Sequence, residues 1–138
     1  MSAKGQRPDG RLRSLEMTTQ VGIDLVHTDE VREAVLVHGE RYLNRVYTEQ
    51  ERRDCGSDPW RLAALFAAKE AAMKALGRDG EPLPWRAIGV RTNASGASSL
   101  DLHGAAAALA RRRGAVSLSV TLIHEGPLAA AVVLAELG

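Results

Sequence analysis

Asp24 lies in Val21-Gly22-Ile23-Asp24-Leu25-Val26, flanked by aliphatic residues, and Lys69-Glu70-Ala71-Ala72-Met73-Lys74 follows downstream in a stretch of helical period. Burying an aspartate anion among aliphatic neighbours is costly unless a cation or several hydrogen-bond donors stand beside it. Asp24 therefore has a compensating partner, or its strand is open to water there. On a helix Glu70 and Lys74, at i and i+4, share one face, while Lys69 points to the neighbouring one. Leu62, Phe66, Met73 and Leu76 recur at helical spacing, which sets the charged cluster beside a buried stripe. Two carboxylates, one from a strand and one from a helix, suit a hard cation such as magnesium, which takes few protein carboxylates and keeps waters and substrate phosphate oxygens in its shell. The plainer readings are an Asp24 that faces water or meets an arginine, and a Glu70–Lys74 surface pair worth roughly 0.2–0.5 kcal/mol.

The elements that must carry these groups can be read from pattern. Residues 19 to 26 read as a buried strand from their β-branched and aliphatic content. Thr28 or Asp29 caps a helix whose apolar positions include Val31, Val35 and Leu36 and which ends near Gly39. A short helical piece follows around Tyr42 to Tyr47, and Thr48 with Glu51 makes a capping box for the next helix. Pro59 opens the helix that carries Glu70, in the first turn where proline costs least, and Gly77 closes it. After a turn-rich Arg78 to Pro84, Ala87 to Thr92 and Ser98 to Leu102 read as strands joined through Asn93 to Gly96. An alanine-rich helix from Gly104 to Arg113 leads to strands at Ala115 to Ile123 and Leu128 to Leu137, a hairpin turning at His124-Glu125-Gly126-Pro127. A strand, several helices, then mainly strands is an α+β order and not a βαβ alternation.

With 138 residues, 45% hydrophobic and 25% charged, the chain reads as one globular domain. Residues 1–18, with Gly5, Pro8, Gly10 and mixed charges, lack apolar periodicity and read as a flexible extension ahead of a domain at 19–138. Of 18 basic and 17 acidic residues the extension holds four and two, leaving 14 and 15 in the body, so no clustered basic face points to nucleic acid. The one dense basic run, Arg111-Arg112-Arg113, sits at a helix end before Gly114, where it complements the helix dipole. A single cysteine, Cys55, excludes an internal disulfide framework and a cysteine-rich metal centre. No apolar run reaches the roughly 18 residues of a membrane span and the start lacks a secretory h-region, so the expected setting is cytoplasmic, with no membrane partner.

Gly22-Ile23-Asp24 together with Phe66-Ala67-Ala68-Lys69-Glu70-Ala71-Ala72-Met73-Lys74-Ala75-Leu76-Gly77 resembles the 4'-phosphopantetheinyl transferase superfamily, and within it the small holo-acyl-carrier-protein synthase type. The resemblance runs from about Thr19 to the C-terminus, through the segments Arg41 to Glu51, Trp85 to Ile88 and Val120 to Glu125. The two acidic motifs are specific as a pair in this order, though each alone is weak. It implies an α+β, phosphopantetheinyl transferase-like fold, with a mainly antiparallel sheet packed against the long motif helix. The implied reaction moves the 4'-phosphopantetheine arm of coenzyme A to a serine of an apo acyl, polyketide or peptidyl carrier protein and releases adenosine 3',5'-bisphosphate. On the same likeness Asp24 and Glu70 hold Mg2+, with Mn2+ as the alternative ion, and Glu70 or a metal-bound water takes the serine proton. Lys69 and Lys74 stand near the phosphates, Lys74 with a catalytic part, and His124 approaches the nucleotide. Relatives of this type are usually homotrimers with sites at the subunit boundaries, which implies the same assembly here.

Several positions depart from the family pattern. His27 stands where many relatives carry glutamate. Asp29 and Glu30 occupy the helix that meets the acidic carrier, where relatives usually have an arginine, and only Arg32 substitutes after a shift of register. Leu65 replaces a second arginine, with Arg61 one turn back, and Gly77-Arg78-Asp79-Gly80 replaces a Gly-Thr-Gly stretch. These changes touch partner recognition and phosphate handling, while the acids and lysines on which phosphoryl transfer depends are present. Two readings stay open: a transferase tuned to a particular carrier, and a repurposed scaffold that catalyses another reaction, or only binds, on a carrier-bound intermediate of secondary metabolism.

Overall fold

The computed structural model describes residues 17–77 and 82–138. The expected extension lies outside the described residues up to residue 16, as do Arg78, Asp79 and Gly80. β1 (Thr18–His27) is followed by four helices: α1 (Thr28–His38), α2 (Glu40–Val46), α3 (Glu49–Cys55) and α4 (Pro59–Leu76). A short 3-10 turn (Trp85–Ala87), β2 (Ile88–Thr92), β3 (Ser98–Leu102), α5 (Gly104–Arg112), β4 (Ala115–Glu125) and β5 (Leu128–Leu137) complete the order. The fold is α+β, with an antiparallel sheet ordered β1-β5-β4 against α4 and a separate β2-β3 hairpin. Among the described residues no helix is long and apolar enough to cross a membrane.

Small residues set how closely α4 lies on the sheet. Ala67, Ala68, Ala71, Ala72 and Ala75 of the helix and Ala129, Ala131, Val133 and Ala135 of β5 are fully buried. Gly22 of β1 lies directly under the helix, where an added Cβ would stand 1.8 Å from the Ala71 carbonyl oxygen. Asp58 accepts from the Trp60 amide as the N-cap, Pro59 occupies the first turn, and Gly77 ends the helix with a left-handed φ of 63°. The helix departs from the expected single stripe. β1 and β5 cover one side and α1 and β2 pack on others, so burial extends almost all round. Between its first turn and Gly77, only Phe66, Glu70 and Lys74 reach the surface, at successive i, i+4 positions.

Other expectations hold or are corrected by local contacts. The Thr48–Glu51 capping box forms as the pattern predicts. The cap of α1 is neither Thr28 nor Asp29 but His27, whose Nδ1 accepts from the Asp29 amide, while the Thr28 hydroxyl donates to the Pro127 carbonyl. Val31 is buried as expected, but Leu36 is 79% exposed, because among the described residues no element packs on that face of α1. The β4–β5 turn is only Gly126-Pro127, with Gly126 at φ 55°; His124 and Glu125 remain in the strand, opposite Ala129 and Leu128. β1 is buried on one face only: Val21, Ile23 and Leu25 are 51%, 58% and 62% exposed, with Ile123 and Leu134 exposed on the same side of the sheet.

Candidate functional site

Asp24 follows from the strand period. Gly22 and Val26 face α4, so Asp24 between them also points to the helix side, opposite Ala131 in register. The compensating partner is neither water alone nor an arginine. The Lys74 ammonium donates to Asp24 Oδ1 at 3.0 Å and to the Ile23 carbonyl at 3.0 Å. The Asp24 side chain is 16% exposed and that of Lys74 53%, so the pair sits at the rim of the strand–helix junction and not in the core. Glu70 is half-buried one turn before Lys74 on the same accessible line, about 6 Å along the helix axis. Phe66 continues that line and stacks on Trp85 at a centroid distance of 4.9 Å, an apolar wall beside the charged groups.

Lys69 is a correction. Its side chain is fully buried, and its ammonium contacts Glu51 Oε1 at 2.8 Å, the Ile88 carbonyl at 2.6 Å and the Trp85 carbonyl at 3.3 Å. The expected place near phosphates is one helix step away, at Glu70 and Lys74; rotation by one residue turns Lys69 under β2 instead. Burial lowers the Lys69 pKa, and the Glu51 carboxylate opposes that shift. Glu51 also accepts from the Thr48 amide at 2.9 Å and the Val90 amide at 2.7 Å, so one carboxylate ties α3, α4 and β2 together. The capping box made Glu51 visible in the sequence as a local feature, and nothing there pointed to Lys69 as its partner.

His124 stands apart from the acids within one chain. Its Nε2 lies 3.1 Å from the Trp60 carbonyl and its ring meets Trp60 edge-on. Trp60 precedes Glu70 by about 15 Å of helix at 1.5 Å per residue, too far for one small group to bridge. The ring lines an open cavity of about 480 Å³ with Arg61, Leu65, Cys55 and Leu122. Arg61 is engaged there, donating to the Asp54 carbonyl at 2.6 Å, and Arg32 is paired with Asp29 at 2.8 Å. His27 serves as the α1 cap. Arg111 and Arg112 lie in the last turn of α5, as the dipole reading expects, and Arg113 donates to the Gly77 carbonyl.

Among the described residues no three His, Cys, Asp or Glu side chains converge as a metal cage. Asp24, and Glu70 one turn from Lys74, are carboxylates of the kind that a hard cation takes beside waters and phosphate oxygens. The Lys74 ammonium on Asp24 Oδ1 shows that this oxygen already accepts a cation. Fold and site thus define a class: a small α+β domain in which a strand carboxylate meets a helix lysine, with a second carboxylate one helical turn away.

Residues 20–133 match the family model described as the 4'-phosphopantetheinyl transferase superfamily. The chain belongs to this superfamily, and within it to the holo-acyl-carrier-protein synthase type. It is 40% identical over 122 residues to a holo-[acyl-carrier-protein] synthase of Solidesulfovibrio magneticus, covering 87% of this chain and 99% of the relative. A synthase of the same name from Herpetosiphon aurantiacus is 42% identical over 120 residues, covering 82% and 94%. Among solved structures, the Helicobacter pylori holo-[acyl-carrier-protein] synthase in complex with coenzyme A superposes with a TM-score of 0.75 at 27% identity, covering 83% of this chain and 98% of that one. The synthase–coenzyme A complex of Chronobacterium ammoniagenes gives 0.77 at 31%, covering 88% and 98%.

Proposed function

We infer that this chain transfers the 4'-phosphopantetheine arm of coenzyme A to a serine of an apo acyl carrier protein, with release of adenosine 3',5'-bisphosphate. The carrying observation is the Asp24–Lys74 contact beside Glu70, in a chain that matches holo-acyl-carrier-protein synthases over most of its length. The serine oxygen forms a bond to the phosphorus nearer the pantetheine. The bond from that phosphorus to the bridging oxygen breaks, and the oxygen leaves with the electron pair on the nucleotide. Glu70, half-buried and beside the reacting groups, takes the serine proton. Lys74 reaches the pyrophosphate oxygens from a side chain with room to swing. Asp24 and Glu70 would hold Mg2+, or Mn2+ in its place; when bound, the ion neutralises the charge that develops on the phosphate oxygens. The Phe66–Trp85 stack offers an apolar wall to the pantetheine arm.

The exposed apolar face of β1, β5 and β4 supports assembly with further copies of the chain, and a homotrimer is the form we propose. It would bring His124 of a neighbouring copy towards the acidic junction, which one chain alone does not do. Carrier docking falls to the far end of α1 and to α2. The first turn of α1 is acidic and Arg32 is held by Asp29, but Leu36 and Val37 are exposed beside a groove lined by His38, Arg41, Tyr42 and Arg45. An acidic carrier helix complements that surface in charge and polarity.

The test is to mix the protein with coenzyme A, Mg2+ and a panel of apo-carrier proteins and to read intact carrier masses. One phosphopantetheine arm added only with enzyme and metal is the expected result. No addition across a panel that a known transferase modifies in parallel would overturn the inference in favour of a repurposed scaffold.

A further inference from the structure

We propose that Lys74 is the resident counter-ion of Asp24, and that a divalent cation must displace it, so metal and phosphate-bearing substrate bind cooperatively through this one side chain. The proposal rests on the metal reading above and adds a linkage to it. Lys74 places its ammonium 3.0 Å from Asp24 Oδ1 and 3.0 Å from the Ile23 carbonyl, committing two of its three donors to β1. Asp24 is mostly covered, by the helix that Gly22 admits so closely, and little water reaches its carboxylate. An ammonium at that distance satisfies the anion and repels a second cation from the same oxygen.

Lys74 is nonetheless the half-exposed member of the pair, on a flexible four-carbon stem in the last turn of α4. Incoming phosphate oxygens carry more negative charge than Asp24 and a carbonyl together, so the ammonium gains by moving onto them. Asp24 is then released to the metal. Each ligand removes the obstacle to the other, and by linkage the coupling is reciprocal. The lysine that neutralises the substrate is thereby also a placeholder that keeps the ligand-free site from holding a cation tightly.

The experiment titrates Mn2+ into the full chain by electron paramagnetic resonance, without and with coenzyme A. Lys74→Met keeps the stem and removes the charge. It should bind Mn2+ about fivefold more tightly than the parent without coenzyme A, as expected for an ion pair near the top of the exposed range. The enhancement of Mn2+ binding by coenzyme A should shrink by a similar factor. Lys74→Arg, which keeps the charge, should stay near the parent. Asp24→Asn should lose the tight Mn2+ site in both backgrounds. If Asp24→Asn loses the site while Lys74→Met binds Mn2+ no more tightly than the parent, the displacement is refuted and the metal reading stands. If Asp24→Asn keeps full Mn2+ affinity, the ion lies elsewhere and both readings fall.

Discussion

Replacing Glu51 by glutamine separates a structural role for Lys69 from a role at the phosphates. In the parent, Glu51 Oε1 accepts from Lys69 Nζ and the Thr48 amide, and Oε2 accepts from the Val90 amide. A glutamine has one acceptor oxygen, so either Thr48 or Val90 loses its partner and the Lys69 ammonium loses its counter-charge in a fully buried place. Breaking a buried pair from one side costs about 3–5 kcal/mol. For a domain of this size that lowers the melting temperature by roughly 10 °C or more. Lys69→Met should cost less, because the Glu51 carboxylate keeps both amide donors.

The pH dependence adds a second readout. Burial already holds the Lys69 pKa below the ordinary lysine range, and Glu51 opposes that shift. Without Glu51 the folded-state value falls further. Between that lowered value and the ordinary one the unfolded chain binds more protons than the folded, so stability from this group rises with pH. The deficit of Glu51→Gln should therefore narrow from neutral pH towards pH ~10. Calorimetric melts across that range, with coenzyme A affinity measured below the transition, form the assay. A Glu51→Gln melting point within about 3 °C of the parent would refute the buried-pair reasoning. A Lys69→Met variant that melts like the parent but loses coenzyme A would return Lys69 to the phosphates.

Asp24→Ala or Glu70→Ala should abolish arm transfer while circular dichroism stays that of the parent, and unchanged turnover in either would sink the proposed metal ligands. Gly22→Ala forces a Cβ to within 1.8 Å of the Ala71 carbonyl oxygen; α4 must lift from β1, at a cost of about 1–3 kcal/mol or more, seen as a lower midpoint in urea. Arg41→Glu with Arg45→Glu should raise the KM for an acidic carrier at least tenfold, with kcat and coenzyme A affinity little changed. A salt titration should show the parent's carrier binding weakening as ionic strength rises, more steeply than the variant's.

Much of this molecule is written locally in its chain. Pro59 and Gly77 mark the ends of α4, Thr48 with Glu51 opens α3, and β3 and β5 fall where their patterns put them. These features depend on neighbours within a few residues, so pattern suffices to locate them. Gly22-Ile23-Asp24 and the Lys69 to Lys74 stretch likewise pointed to a strand acid meeting a helix, and Asp24 does find its cation there. What pattern left undecided was which face of each element another element covers. Lys69 turns inward because α4 is enclosed on several sides, and Glu51, eighteen positions earlier, reaches it only once β2 closes over both. Val21, Ile23 and Leu25 stay exposed because, among the described residues, nothing crosses that side of the sheet. His124 falls at the opposite end of α4 because the two outer strands flank β5 on either side. Sequence period determines which residues share a face; only long-range packing determines what that face meets, because such contacts join segments whose separation along the chain carries no local signal.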